Sequence, residues 1–319
     1  MHFGRSLAAL ACALPLIVAR TAWGGPDPLA RPPGARTSTA RPANHLYARL
    51  SSVELAASLA RAHRRARDLP SRLEGVTRGL LGAPYLLSPL GEGRGSKPDP
   101  DPRFRLDAFD CTTFVETAIA LSRNERLADA AQLLDHLRYS ELPAVFTKRR
   151  HLIEAQWVPG LIGGGFVRDI THEVGGNHVR TMAIELDTLS WKKRRVGRSI
   201  ALEPSDVPHG RFELPYIPIE VMVREKIAIP PGTIVDIVRE HVPWSPTMTA
   251  HQGLVLAPPK GGPLFVRHAS PVAKRVIDEP LARMMARYLH PRTPKKWRVV
   301  GVHLLAIVEP AATTTAERR

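Results

Sequence analysis

The hydrophobic pattern changes period half-way along the chain. In the first half, "SVELAASLARAHRRARD" (52–68), "SRLEGVTRGLLG" (71–82), "TTFVETAIALSR" (112–123) and "LADAAQLLDHLRYS" (127–140) repeat apolar residues at three- and four-residue spacing, which predicts four amphipathic helices. The second of these is expected to close at Gly82. In the second half, "GTIVDIVRE" (232–240), "HQGLVLAPP" (251–259), "PLFVRHAS" (263–270) and "WRVVGVHLLAIVE" (297–309) are short β-branched runs bounded by Gly and Pro, as antiparallel strands are. Helices first and strands afterwards predict an α+β fold, with N-terminal helices packed on one antiparallel sheet.

The ends read differently. "MHFGR" is followed by the uncharged run "SLAALACALPLIVA" and the small residues of "RTAWGG", so residues 1–24 are expected to be a secretory signal peptide, with Ala22-Trp23-Gly24 at the cleavage site. The run is short for a bilayer, and no other stretch approaches the roughly 20 apolar residues a transmembrane helix needs. Most of the run follows Cys12, which disfavours lipidation there. The Pro, Ala and Arg of residues 25–48 predict a linker, and 310–319 a flexible tail, leaving 49–309 as the folded domain. The protein is accordingly expected to be exported, to the periplasm or beyond the cell.

Export sharpens the question of the cysteines. The sequence holds two, Cys12 and Cys111, and cleavage would remove the first. A lone thiol forms no intrachain disulfide, so Cys111 is a buried small hydrophobe, an intermolecular bridge or a nucleophile. Its surroundings, "RLDAFDCTTFVETAIAL", place Asp110 as a helix N-cap and Cys111 in the first turn, where unpaired N–H groups and the helix dipole favour a thiolate. A nucleophile of this kind needs an imidazole. Among thirteen histidines, His251 opens one predicted strand and His268 closes the next. Joined through the "PPKGG" turn as antiparallel neighbours, those strands bring both rings to one end of the sheet. The string "HEVGGNH" lacks the second His of a zinc-protease helix and carries two glycines that argue against a helix; no metal and no other cofactor is expected.

The formal net charge is +15, which favours polyanionic partners. The basic residues are scattered and aromatic residues make up only 6%, so the stacking platforms of a nucleic-acid protein are lacking; an anionic envelope polymer fits better than nucleic acid. A catalytically silent wall-binding module and an acyl transferase are alternative readings of the same features.

The order of "LLGAPYLL", "FDCTTFVETAIAL", "VRDITHEVGG", "YIP", "GTIVDIVRE", "TAHQGLVL" and "LFVRHASPVAKRVID" resembles the N-acetylmuramoyl-L-alanine amidase-like family of the papain-like NlpC superfamily of peptidoglycan hydrolases. The resemblance spans roughly residues 50 to 308. It implies a papain-like fold, a peptidoglycan or muropeptide substrate, and cleavage of either the muramic acid–L-alanine amide or the D-glutamyl–diamino-acid bond of the stem peptide. It further implies Cys111 as nucleophile, His251 as general base and acid, and His268 as the residue orienting His251. Tyr85, Asp110 and Thr112 match positions that support the oxyanion or the substrate, and Glu116 a structural acid. Two departures stand out: Gly232-Thr233 in place of the usual Gly-Asp, and Leu152 and Gln156 in "RRHLIEAQWV", which are expected to shape the substrate cleft.

Overall fold

Helix capping and glycine placement set the first layer. The structure, a computed structural model, describes residues 46–193, 200–242, 245–291 and 297–309. The expected signal peptide, Cys12, the tail and the linker up to residue 45 lie outside them. The core begins at Tyr47, which is buried although it falls within the expected linker. Helix α1 (Ser52–Arg65) starts in a capping box, in which the Ser51 N–H donates to Glu54 Oε2 at 2.8 Å and the Glu54 N–H to Ser51 Oγ at 3.3 Å. Helix α2 (Leu69–Arg78) is capped by Asp68 and ends at Gly79, one turn earlier than the sequence predicts. The Tyr47 ring lies against Gly79, where a Cβ would stand 2.1 Å from Tyr47 Cε1, so only glycine admits the ring. Helices α3 (Cys111–Arg123) and α4 (Leu127–Arg138) follow as the spacing predicts.

The remaining elements are α5 (Val158–Gly163), β1 (Val167–Asp169), α6 (Thr171–Gly175), β2 (Arg180–Leu186), α7 (Thr188–Lys193), β3 (Gly210–Pro218), α8 (Ile219–Arg224), β4 (Thr233–Arg239), β5 (Thr249–Leu256), β6 (Phe265–Ser270), β7 (Arg275–Pro280), α9 (Leu281–Leu289) and β8 (Val299–Ile307). All strand pairings are antiparallel, in the order β2-β3-β8-β4-β5-β6-β7, with β1 also paired to β8. His172 and Glu173 do lie on a helix, the short α6, contrary to the reading of "HEVGGNH"; Gly176, at φ 51, ends it.

Strand residues alternate between the two faces of the sheet. Ile234, Leu254, Leu256, Ala269 and Leu305 face α1–α4 and pack with Leu59, Leu73, Phe114, Ile119 and Leu134. Val235, Ile237, Val255, Val266, Val302 and Leu304 face the other way, against Ile219 of α8 and Met284 and Met285 of α9. Helices therefore cover both faces rather than one, and the central strands β4 and β8 are largely apolar on both sides, Asp236 and His303 excepted. Among the described residues no helix is long and apolar enough to cross a membrane.

Candidate active site

The site forms where α3 begins and β5 and β6 part. Asp110 holds the helix start: its carboxylate accepts from the Thr113 N–H at 2.8 Å, the Thr113 hydroxyl at 2.8 Å and the Ser88 N–H at 2.9 Å. The reciprocal bond from the Asp110 N–H to Thr113 Oγ1 closes a capping box. The carboxylate of Asp110 is thus taken up by helix and loop, and its observed role is to fix Cys111 in the first turn. The N–H groups of Cys111 and Thr112 precede the capped one, in the first turn, where N–H groups have no carbonyl partner within the helix.

Strands β5 and β6 pair from Leu254↔Arg267 to Leu256↔Phe265, and the ladder stops short of the end of β5 that carries His251. The N–H of Gln252, on the open end of β5, reaches the Cys111 sulfur, as does that of Thr112. The thiol therefore stands beside the His251–Gln252 peptide. Cys111 keeps partial exposure. Nonetheless burial, with the Asp110 carboxylate adding to it, pushes the thiol up to about 12 against the pull of those donors. The helix-start donors favour the thiolate, as expected, while desolvation and the neighbouring carboxylate oppose it.

His251 and His268 are both buried and meet as the sequence predicts. His251 Nε2 lies 2.6 Å from His268 Nδ1, with the rings edge-on at 82°. Gly253 makes this approach feasible: a Cβ there would stand 2.6 Å from Val266 Cγ1 and 3.0 Å from His268 Cβ. The glycine of "H-x-G" is the space through which β6 delivers its imidazole. Beyond His268, Glu279 of β7 stands 3.5 Å from Nε2. Arg287 of α9 donates to both Glu279 oxygens at 3.0 and 2.8 Å. Burial would raise Glu279, but its contacts with His268 and Arg287 hold it down at about 2, so it is a carboxylate at any working pH.

His268 Nε2 makes no hydrogen bond and faces the ionised Glu279 across 3.5 Å, so the pairing is electrostatic; it favours Nε2–H and an accepting Nδ1 on His268, with His251 donating from Nε2 and keeping a lone pair on Nδ1. Glu279 is not legible in the sequence because β7 carries no apolar run; in "RVIDEP" only Val276 is buried.

The other expected residues are placed as follows. Tyr85 is half-buried, on a loop held by its own N–H to Lys274 O at 2.9 Å and by Leu86 N–H to Phe109 O at 2.9 Å. Burial, then the negative charges of Cys111 and Asp110, hold its hydroxyl in the protonated, donating form. Thr112 donates to Gln252 Oε1 at 2.7 Å. Glu116 is buried and accepts from Arg138 Nη1 at 3.0 Å and Trp157 Nε1 at 2.9 Å, a structural role. Thr233, in place of an aspartate, donates to Pro230 O at 2.7 Å. Leu152 is buried in the cluster that holds Met248, and Gln156, half-buried, accepts from the Leu152 N–H at 3.1 Å. Their neighbour Glu154 was missed: buried, it accepts from the N–H groups of Met248 and Thr249 at 2.8 and 2.5 Å and from the Thr247 hydroxyl at 2.7 Å. It pins the backbone that leads into His251. Among the described residues no three His, Cys, Asp or Glu side chains are grouped to hold a metal ion.

A sequence profile described as N-acetylmuramoyl-L-alanine amidase-like matches residues 75–289, which include both histidines and Cys111. The chain belongs to the N-acetylmuramoyl-L-alanine amidase-like family. None of the curated proteins matches it in sequence. Among solved structures, a protein from Legionella pneumophila has a similar fold, with a TM-score of 0.67 at 20% identity over 81% of this chain and 96% of the other. An N-acetylmuramoyl-L-alanine amidase from Bacteroides uniformis follows at 0.54 and 19%, over 80% and 99%. A putative xylanase from Bacteroides fragilis stands at 0.54 and 20%, over 72% and 98%. These likenesses concern the fold. The antiparallel sheet between helices is thus the scaffold on which this amidase-like protein carries its site.

Proposed function

We propose that this protein is an exported cysteine hydrolase of the papain-like NlpC type, cutting the amide between muramic acid and L-alanine in peptidoglycan. What supports the reading is the His251–His268 pair, with Glu279 3.5 Å beyond it, on a strand whose next residue, Gln252, reaches the Cys111 thiol at a helix start. Relay-fixed imidazole, thiol and first-turn N–H donors are the parts acyl transfer needs. Family membership supports amide hydrolysis on peptidoglycan.

The reaction runs as follows. The thiol is protonated at rest, so His251 Nδ1 takes its proton as the sulfur attacks the amide carbonyl carbon. The carbonyl electrons move onto oxygen, where the N–H groups of Cys111 and Thr112 and the Tyr85 hydroxyl receive them. Each such donor is typically worth about 3 to 4 kcal/mol of barrier. The imidazolium, stabilised through His268 by Glu279, gives its proton to the nitrogen as the C–N bond breaks. Water then loses a proton to His251, attacks the thioester, and releases the acid while the thiol is restored.

Mass spectrometry of purified muropeptides incubated with the protein and with Cys111→Ala tests this. The expected result is free stem peptide starting at L-alanine with the first and uncut substrate with the second. Fragments split after D-glutamate would move the cut to the stem peptide. No cleavage by the unmodified protein, with retained binding to sacculi, would overturn the enzymatic reading.

A further inference from the structure

The geometry points to a positioning role for a buried polar chain that the reaction does not touch: Asp169, His303, Asp236 and Gln252 hold the nucleophile end of α3 against β5. The inference rests on reading Cys111 as the nucleophile. His303 of β8, Asp236 of β4 and Gln252 of β5 are direct cross-strand partners, forming one lateral row on the sheet face that packs against α1–α4. All three are at most 1% exposed. His303 Nδ1 lies 3.0 Å from Asp236 Oδ2, and its Nε2 lies 3.3 Å from Asp169 Oδ2. Asp169 in turn accepts from the Thr171 N–H at 2.8 Å. On the other side, Gln252 Nε2 donates to Asp236 Oδ1 at 2.8 Å.

The logic of donors leaves one arrangement. Both ring nitrogens of His303 face carboxylates, which only accept, so the ring is a doubly protonated imidazolium. Burial opposes that charge, but the bonds and charges of Asp169 and Asp236 hold His303 up at about 9. With Asp236 Oδ2 filled by His303, Oδ1 takes the amide N–H of Gln252. The amide cannot flip, because its oxygen would then face a carboxylate. Gln252 Oε1 is thereby aimed at α3, where it takes the Thr112 hydroxyl. Thr112 and Gln252 are the two residues whose main-chain N–H groups reach the Cys111 sulfur. The side-chain bond between them ties both donors to one another and, through Asp236 and His303, to the central strands.

A chain of this kind is costly to bury, and apolar replacements of similar volume are often as stable or more so. Its value therefore lies in geometry, where a displacement of about 1 Å costs on the order of a hundredfold in rate. The nucleophile is located from the α1–α4 side of the sheet and the base, through His268, from the α8–α9 side.

The test uses Gln252→Met, which keeps volume and removes both amide bonds, with Asp236→Asn beside it. Cys111 alkylation by iodoacetamide is followed against pH, together with kcat, KM on muropeptides and the thermal midpoint. The expected result is folded protein whose alkylation profile moves to higher pH by about one unit, since donors that favour the thiolate have drifted. A kcat lowered roughly ten- to a hundredfold with KM within about twofold should accompany it. A folded Gln252→Met with an unchanged alkylation profile would overturn the inference. Should neither variant fold, nitrogen-edited NMR of the unmodified protein decides: His303 with both ring N–H groups present at pH 7 is expected, and a neutral ring sinks the chain. Alkylation and NMR need no peptidoglycan, so a failure of the wall-hydrolase reading would be seen separately, as an inactive protein with an intact positioning chain.

Discussion

Gly253 and Asp110 are two small demands that the site makes of the chain, and both are testable one residue at a time. A methyl group at 253 meets Val266 and His268 Cβ, so Gly253→Ala must push β6 away and lengthen the His251–His268 bond. Overpacking of this sort costs about 1 to 3 kcal/mol. The expected outcome is a lowered thermal midpoint together with a kcat reduced at least tenfold; wild-type kcat in the folded variant would show that the histidine pair tolerates separation. Asp110 acts in two opposed ways: it caps α3, and its charge raises the Cys111 thiol. Asparagine caps about as well as aspartate but carries no charge. Asp110→Asn is therefore expected to keep the helix cap, at the loss of the bond from the Ser88 N–H, while lowering the thiol, so that alkylation at a fixed pH near 8 becomes several-fold faster. A slower reaction would mean that the cap geometry matters more than the charge.

At the scale of elements, what was legible in the sequence follows from burial. Strands β4 and β8 sit between two largely apolar layers and read as β-branched runs such as "TIVDIV", while α1, α2 and α4 bury one face each and α3 is buried from Thr113 to Ser122. Strands β2, β3 and β7 are exposed over part of their length, with Arg, Glu and Pro among their residues, and give no run to read. His251 and His268 were found because they end readable strands; Glu279 was not, because β7 does not look like one. The same holds for Glu154, which lies in the π-helical turn Ile153–Trp157 and makes its contacts more than ninety residues away. Local pattern carries no trace of such a pairing. Its consequence is an element-level prediction. Glu154→Ala leaves the buried N–H groups of Met248 and Thr249 without an acceptor, at about 1 to 3 kcal/mol for an unsatisfied group. Stability measured by denaturant should fall by at least that amount and activity should fall with it, since β5 loses the anchor just ahead of His251. A variant of undiminished stability would mean that the loop finds other acceptors.

On the scale of the whole molecule, charge and catalysis are set apart. The cleft relies on short, buried bonds that salt scarcely screens, whereas much of the +15 net charge lies outside it. Arg61, Arg65 and Arg67 are exposed and line a groove of about 920 Å³ between α1, α2 and the Pro258-Pro259 turn. That turn follows β5, at the end opposite His251, so the groove and the thiol stand at different ends of one strand. Attraction between this surface and an anionic polymer is long-ranged and falls as the Debye length shrinks from about 10 Å near 0.1 M salt to about 3 Å near 1 M. Two substrates separate the contributions. On whole sacculi, raising salt over that range should lower kcat/KM roughly tenfold or more by weakening retention. On a small soluble muropeptide, which gains little from a distant groove, kcat should change by less than about twofold, because the Glu279–His268–His251 chain and the Cys111 donors are shielded from solvent ions. Replacing Arg61, Arg65 and Arg67 together by alanine should reproduce the high-salt behaviour on sacculi at low salt and leave the soluble reaction unchanged. Equal salt sensitivity on both substrates would place the operative charges in the cleft itself, with Arg287 the first to suspect.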